Sequence, residues 1–314
     1  MGMIFTHSAA NASAEGFPNW LAEFRIQAVQ SGLDPNVVDK VLGGANYIPR
    51  VIALDQKQPE KKITFNQYYA NVVNQQRINT ARSFYYQHSD VLNRVAAEYG
   101  VKPWYILSFW AIESDFGRHM GNFSVVDSLA TLAYEGRRRE LFSQELMDAI
   151  KIVAGNMRSN EALTGSWAGA MGQCQFMPSS YLRHAADGDG DGVRDIWGSK
   201  ADVFASIASY LKNTGWKADE SWGRRVRLPT GFNKDLLGRE KKKPLAEWAA
   251  LGVQNYDGSI LPNEQMNAGV IILSEDVNQA YLTYGNYDVI MGWNRSVYFA
   301  TAIGLLSDKI AAGL

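Results

Sequence analysis

The chain predicts an α+β fold that is predominantly α. Apolar residues recur at three- and four-residue spacing over most of its 314 residues, which is the period of an amphipathic helix. Only from Trp222 to about Glu275 does the pattern change to short apolar runs between turn residues, as short strands require. With 46% hydrophobic and 20% charged residues the chain has ample material for a core and no signature of global disorder. No repeat or low-complexity linker divides it, so a mainly helical body with a small β-containing insertion is expected.

The elements follow in order. Met1 to Ala14 is small and polar, without the basic head and long apolar stretch of an export signal, and residues 1–18 are expected to be disordered or processed. Asp34-Pro35-Asn36 opens a helix through Val37, Val38, Val41 and Leu42. A polar loop from Gln56 to Lys62 precedes a helical stripe of Phe65, Tyr68, Val72 and Val73. Asp90 to Tyr99 forms the next helix, closed by Gly100. Pro103 fits the first turn of another, because its fixed φ suits that position and its missing N–H is not needed there; Gly117 is its natural stop. Val126–Tyr134, Leu141–Val153 and Asp202–Thr214 are helical by period, the last ended by Gly215. Arg225 to Pro229, Ser259 to Pro262 and Gly269 to Leu273 read as strands, and Ser296 to Ile310 returns to helix.

Charge and cysteine use exclude several classes. The net charge of −1 gives no basic field for nucleic acid. The runs Arg137-Arg138-Arg139 and Lys241-Lys242-Lys243 read as solvated faces. The single Cys174 excludes an intrachain disulfide and a cysteine-rich metal site. No apolar run approaches the ~18 residues of a membrane helix.

Three segments carry chemistry. Counting back from Glu113 by three, four and seven gives Trp110, Phe109 and Ile106, which share a helical face with it. A carboxyl among such groups is poorly solvated, so its proton is held more tightly, as glycosidic bond cleavage needs. The bland alternative is a helix-end glutamate satisfied by Arg118 or water. Asp187-Gly-Asp189-Gly-Asp191-Gly192-Val193 matches a calcium loop, with oxygens at positions one, three and five, glycine at six and a carbonyl at seven. Position twelve is Gly198 instead of a bidentate Glu; Asp202 is placed to close the shell, and Asp195 falls at position nine. The alternative is an Asx-rich polar turn. Finally, Gly165 to Tyr181 joins a glycine- and alanine-rich turn to amides and hydroxyls, which suits either a neutral polar polymer or tight helix packing.

The blocks Ala111–Gly121, Gly165–Tyr181 and Asp187–Trp197, together with Leu129–Tyr134, Gly136-Arg137-Arg138-Arg139 and Trp293-Asn294-Arg295-Ser296, closely resemble the membrane-bound lytic murein transglycosylase B family, over roughly residues 19 to 312. The resemblance implies a lysozyme-like core with a helical domain and a small β domain. The corresponding boundaries are 1–18 for the N-terminal segment, 19–99 for the helical domain and 100–218 for the core with its calcium loop at 187–202. Residues 219–277 would form the β-containing domain, and 278–314 a helical segment returning to the core.

It also implies an exported, periplasmic, monomeric enzyme acting on peptidoglycan glycan strands. Such enzymes cleave the β-1,4 bond between N-acetylmuramic acid and N-acetylglucosamine without water and leave 1,6-anhydromuramoyl ends. By the same resemblance Glu113 is the single acid/base, and Ser166, Gln175, Tyr68, Tyr210, Trp293 and Phe299 line the substrate site. Core packing is the alternative for Tyr68 and Tyr210. Trp293 and Phe299 stand where the family can have tyrosines, and Phe299 has no hydroxyl to donate; whether Tyr298 substitutes is open. Asp187, Asp189, Asp191, the carbonyl of Val193 and Asp202 are the implied ligands of a structural calcium. The rival readings are a muramidase, in which water intercepts the intermediate, and a non-catalytic peptidoglycan-binding protein.

Overall fold

Local capping chemistry sets several of the helix starts in the computed structural model, which describes residues 14–57, 63–273 and 279–314. Most of the expected segment 1–18, the loop expected from Gln56 beyond residue 57, and the end of the β region at 274–277 lie outside the described residues. The first helices are α1 (Phe17–Gln30), α2 (Pro35–Leu42), α3 (Pro49–Gln56), α4 (Phe65–Val72), α5 (Gln75–Gln87), α6 (Ser89–Tyr99) and α7 (Pro103–Ser114). Strand β1 (Phe123–Ser124), α8 (Val125–Glu135), α9 (Arg139–Ala154), β2 (Thr164–Gly165), α10 (Pro178–His184) and α11 (Lys200–Asn213) follow. Then come β3 (Gly223–Arg227), β4 (Gly238–Pro244), α12 (Leu245–Ala250), β5 (Gln254–Asn255), β6 (Asn267–Ile272), β7 (Ala280–Thr283), α13 (Gly285–Trp293) and α14 (Val297–Ala311).

Asp34 starts α2 by accepting the Asn36 N–H at 2.7 Å, and Thr64 starts α4 in a reciprocal capping box with Gln67. Gly100 ends α6 in the left-handed conformation, φ +72°. The expected helices therefore form within a residue or two of their sequence limits.

The β region departs from expectation in two places. Ser259–Pro262 is irregular, not a strand. The Asn255 N–H donates to the Ser259 carbonyl at 2.9 Å in a tight turn, and Leu261 is buried from a loop. Three strands, β4, β5 and β7, also escaped the sequence pattern, β5 being only two residues long. β4 is too charged to read as one, and β7 is four residues long and buried throughout. Charged residues are what an edge strand needs against unwanted pairing, and β4 is an edge in the sheet order β4-β6-β7-β3-β5. The pairings are antiparallel, with Tyr281 opposite Ile271 on one side and Arg225 on the other. Val226, Leu245, Trp248, Val270 and Leu282 form the core under this sheet, and the Trp248 indole N–H donates to the Ala268 carbonyl at 2.8 Å.

By their contacts the described residues form two compact units, those within Met1–Lys61 and Glu113–Val203, and those within Lys62–Ile112 and Phe204–Leu314. In the first, α8 and α9 pack as a pair against which α1, α2, α3 and α10 also lie. Here Arg137 and Arg138 are not merely a solvated face. Both pair with Asp55, whose carboxylate is buried, Arg138 at 2.6 Å. A buried carboxylate requires such partners. The second unit holds the five-stranded sheet and a buried aromatic group in which the Trp110 ring lies 4.8 Å from Phe84 and 5.2 Å from Phe204. Lys242 meets Asp288 at 2.5 Å and Arg239 meets the same carboxylate at 2.7 Å. No helix among the described residues is long and apolar enough to cross a membrane.

Candidate active site and acidic loop

Glu113 is the penultimate residue of α7, and it is half-buried. The helix is buried on all sides from Tyr105 to Ala111, so the apolar face counted in the sequence is one part of an apolar cylinder. What singles out Glu113 is its place at the end of that cylinder, where the helix stops abruptly.

The stop is strained. Asp115, Phe116 and Gly117 all take left-handed backbone, with φ of +50°, +61° and +84°. Two of them carry side chains, for which that conformation costs about 1–2 kcal/mol each. Burial of the Phe116 ring offsets part of this cost. Ser114, 1% exposed, holds the turn from inside: its Oγ donates to the Gln173 carbonyl at 2.8 Å and accepts the Gly117 N–H at 3.0 Å. The Arg118 Nε donates to the Asp115 carboxylate at 2.9 Å. Strain held by surrounding structure beside a candidate catalytic group is a familiar feature of active sites.

The 165–176 segment folds back on itself. Ser166 N–H donates to the Ala170 carbonyl at 2.7 Å, and single bridges join Gly165 to Met171 and Met171 to Phe176. Its small residues let chain approach chain: a Cβ on Gly172 would meet the Ile196 carbonyl oxygen at 2.7 Å. The Ser166 hydroxyl oxygen accepts the N–H groups of Ala168 and Ala170, at 3.3 and 3.1 Å, which leaves its hydrogen to donate. Gln175, at φ +51°, is the reverse case. Its amide nitrogen donates to the carbonyls of Gly172 and Met120, at 2.8 and 3.1 Å, so the end it offers outward is an acceptor.

Cys174 is fully buried in this same unit. Burial pushes its thiol well above the ordinary value, and the nearby charges of Glu113 and then Asp202 push it further.

The acidic loop brings Asp187, Asp189 and Asp202 together, each with a carboxylate oxygen within 4.8 Å of the others. Hard oxygen donors at that separation suit a hard cation such as calcium. Backbone amides shape the loop: Asp187 accepts from Gly190 at 2.6 Å and Gly192 at 2.8 Å. These bonds, the Gly192 amide first, hold the Asp187 carboxyl below its usual range. Asp202 is 1% exposed and accepts the N–H groups of Gly188 and Asp195 at 2.7 and 2.6 Å, yet burial outweighs those bonds and raises its pKa. Asp191 stands outside the three-carboxylate group and accepts the Val193 N–H at 2.7 Å. Asp195 pairs with Arg158 at 3.0 Å.

The remaining sequence candidates belong to the second unit. Tyr68 on α4 and Tyr298 on α14 are half-buried with ring centres 6.0 Å apart. Tyr210 on α11 and Trp293 at the end of α13 meet edge to face at 4.6 Å, and both keep partial exposure. Phe299 is 5% exposed and packs against Phe109 at 6.0 Å, so little of its ring is open to a ligand. Phe109 in turn lies 4.5 Å from Trp293. Sequence reasoning missed the roles of Ser114 and Gln173; their only signal was position, Ser114 directly after Glu113 and Gln173 inside the small-residue block.

Comparison with known proteins adds kinship to this geometry. Residues 16–308 match the family described as the transglycosylase SLT domain. The chain is 31% identical to the membrane-bound lytic murein transglycosylase B of Escherichia coli strain K12, over 89% of this chain and 79% of the relative. The crystal structure of SltB3 from Pseudomonas aeruginosa, in complex with NAG-NAM-pentapeptide, superposes with a TM-score of 0.90 at 39% identity, covering 95% of this chain and 80% of that one. The Escherichia coli lytic transglycosylase Slt35 in complex with calcium gives a TM-score of 0.79 at 29% identity, covering 93% of each chain. The lysozyme-like fold expected from the sequence is the fold of these neighbours.

Proposed function

The chain belongs to the transglycosylase SLT domain family, and from that premise we propose that Glu113 is the single acid/base of a lytic transglycosylase acting on peptidoglycan. The observation that carries this is a half-buried carboxyl at the end of a helix buried from Tyr105 to Ala111, followed by a strained turn held from inside by Ser114.

The protonated Glu113 carboxyl gives its proton to the glycosidic oxygen as the bond to the anomeric carbon breaks. The carboxylate then takes the proton from the muramoyl C-6 hydroxyl while that oxygen closes on the anomeric carbon. The product is a 1,6-anhydro ring, no water is added, and Glu113 ends as it began. One carboxyl suffices, unlike the carboxylate pair of most glycosidases. The Ser166 hydroxyl donates to the substrate acetamido carbonyl or to Glu113 itself, and the Gln175 oxygen accepts from a sugar hydroxyl or N–H. Tyr68, Tyr210 and Trp293 supply ring faces and hydroxyls to sugar, with Tyr298 beside Tyr68 in place of the hydroxyl that Phe299 lacks. Phe299 acts from behind, through Phe109, on Trp293.

Asp187, Asp189 and Asp202 would hold a calcium ion, with Asp191 and the Val193 carbonyl as its further ligands; such an ion would supply a structural tie for the loop and no step of bond cleavage. The enzyme works as a periplasmic monomer.

The test is product analysis. Glycan cut by the wild type should carry ends about 18 Da (one water) lighter than hydrolysed reducing ends. Hydrolysed ends would establish the muramidase reading. Glu113→Gln should lose lysis while still sedimenting with cell walls; a wild type that binds walls without cutting them would establish the non-catalytic reading.

A further inference from the structure

We propose that Gln173 is a positioning residue for Glu113, a strut that fixes the strained turn after the glutamate to the far end of the acidic loop. The proposal rests on the assignment of Glu113 as the acid/base. Four features of Gln173 converge. Its backbone carbonyl accepts the Ser114 hydroxyl at 2.8 Å, gripping the residue next to Glu113. Its backbone N–H donates to the Ile196 carbonyl at 2.8 Å. Its side-chain nitrogen donates to the Trp197 carbonyl at 2.7 Å. The other edge of the same amide lies against Gly117, where an added Cβ would meet Gln173 Oε1 at 2.5 Å.

Gln173 is 7% exposed, so these bonds act away from water, where an unpaired amide or carbonyl is costly. The arrangement is directional. The amide is anchored on Trp197, its flank sets the position of Gly117, and its backbone sets Ser114. Asp115 and Phe116 lie between those two points, held in left-handed conformations they would leave if either point moved. Relaxation of that turn would let the last turn of α7, and the Glu113 carboxyl with it, drift from the scissile bond. A displacement of about 1 Å in a catalytic group costs on the order of a hundredfold in rate. Gln173 touches no reacting atom in this scheme; it acts through Ser114 and Gly117.

Gln173→Met keeps the side-chain length and the backbone bonds but gives Trp197 no donor. On soluble glycan strands kcat should fall by about ten- to hundredfold, with KM and sedimentation with cell walls within about twofold of wild type, because no residue assigned to sugar is altered. Hydrogen exchange should quicken at the amides of Gly117 and His119, which are bonded to Ser114, and stay as in wild type across α9. A folded Gln173→Met protein with wild-type kcat overturns the proposal. So does a loss of kcat accompanied by faster exchange throughout the unit, which marks a merely structural role. If Gln173→Met fails to fold, Gln173→Asn, one methylene too short to reach Trp197, is read by the same measurements. Glu113→Gln separates the two levels. Retained lysis there refutes the acid/base assignment, whereas an inert Glu113→Gln beside a fully active Gln173→Met refutes only the strut.

Discussion

Two serines on α7 give a sharp test of how this turn is held. Ser108 and Ser114 are 0% and 1% exposed, and each donates its hydroxyl hydrogen to a carbonyl at 2.8 Å. Burial and bond length would rank them equal. Their acceptors differ. Ser108 bonds the Trp104 carbonyl of its own helix, which already accepts a backbone N–H in the helical ladder, so Ser108→Ala leaves no group unpaired and should cost under about 1 kcal/mol. Ser114→Ala strands the buried Gln173 carbonyl on its Ser114 side and the half-buried Gly117 N–H. At about 1–3 kcal/mol for each unpaired group the loss is about 2–6 kcal/mol. With about 2–4 °C per kcal/mol for a unit of this size, thermal unfolding followed by circular dichroism should show Tm lower by at least about 4 °C for Ser114→Ala. Ser108→Ala should lower Tm by less than about 4 °C. Equal shifts for the two variants would refute the reasoning, because counting stranded partners would then have no predictive value here.

Other expectations concern the thiol and the acidic loop. Cys174, buried and pushed up by burial and by Glu113, should not react with a disulfide reagent at pH 8 in the native protein and should titrate fully in denaturant; rapid native reaction would contradict its burial. Calcium at about a hundred times its dissociation constant should stabilise the protein by about 2.7 kcal/mol, a gain abolished by chelator and by Asp202→Asn, as calorimetry would show. In chelator, Asp187 has a pKa lowered from 3.8 by the amides of Gly192 and its neighbours, so its contribution to stability is present above the unfolded value and is lost as pH falls through the lowered one. The difference in denaturant midpoint between wild type and Asp187→Asn should therefore be open at pH 6 and close on acidification below the carboxylate range; a gap that widens in acid would reverse the sign.

The helical part of the fold was legible because period and caps point the same way. Asp34 before Pro35 and Gly100 after Tyr99 are each explained by one backbone bond or one left-handed residue, and such signals are local. The sheet was less legible. β4 pairs with β6 through its backbone while carrying Arg239, Glu240 and three lysines, so an edge strand looks like a solvated loop. Leu261 deceived in the opposite sense, since a single apolar residue buried from a loop completes the pattern of a strand. The Arg137-Arg138 pair could not be read at all from charge alone. Its partner Asp55 is more than eighty positions away in the chain, and nothing local marks an aspartate as buried.

The site shows the same division between local and distant causes. Position twelve of the acidic loop looked like a defect in a calcium motif, because Gly198 replaces a bidentate glutamate. In three dimensions a Cβ at Gly198 would meet the Asp195 Oδ2 at 2.5 Å. Asp195 cannot simply give way, since its other oxygen binds Arg158 at 3.0 Å and the Trp197 N–H at 3.1 Å, and Arg158 itself lies 4.2 Å over the Trp197 ring. Trp197 is also the residue whose carbonyl holds Gln173. The space a twelfth-position glutamate would need is thus taken by groups that fix Trp197, and the third carboxylate of the acidic group comes from Asp202 on α11 instead, buried and tied to two loop amides. The departure from the motif follows from what the loop supports. A loop that only bound an ion could use any twelfth residue with the right oxygens, whereas one that also anchors Gln173 must keep Asp195, Arg158 and Trp197 in register, and only glycine at 198 leaves room for that.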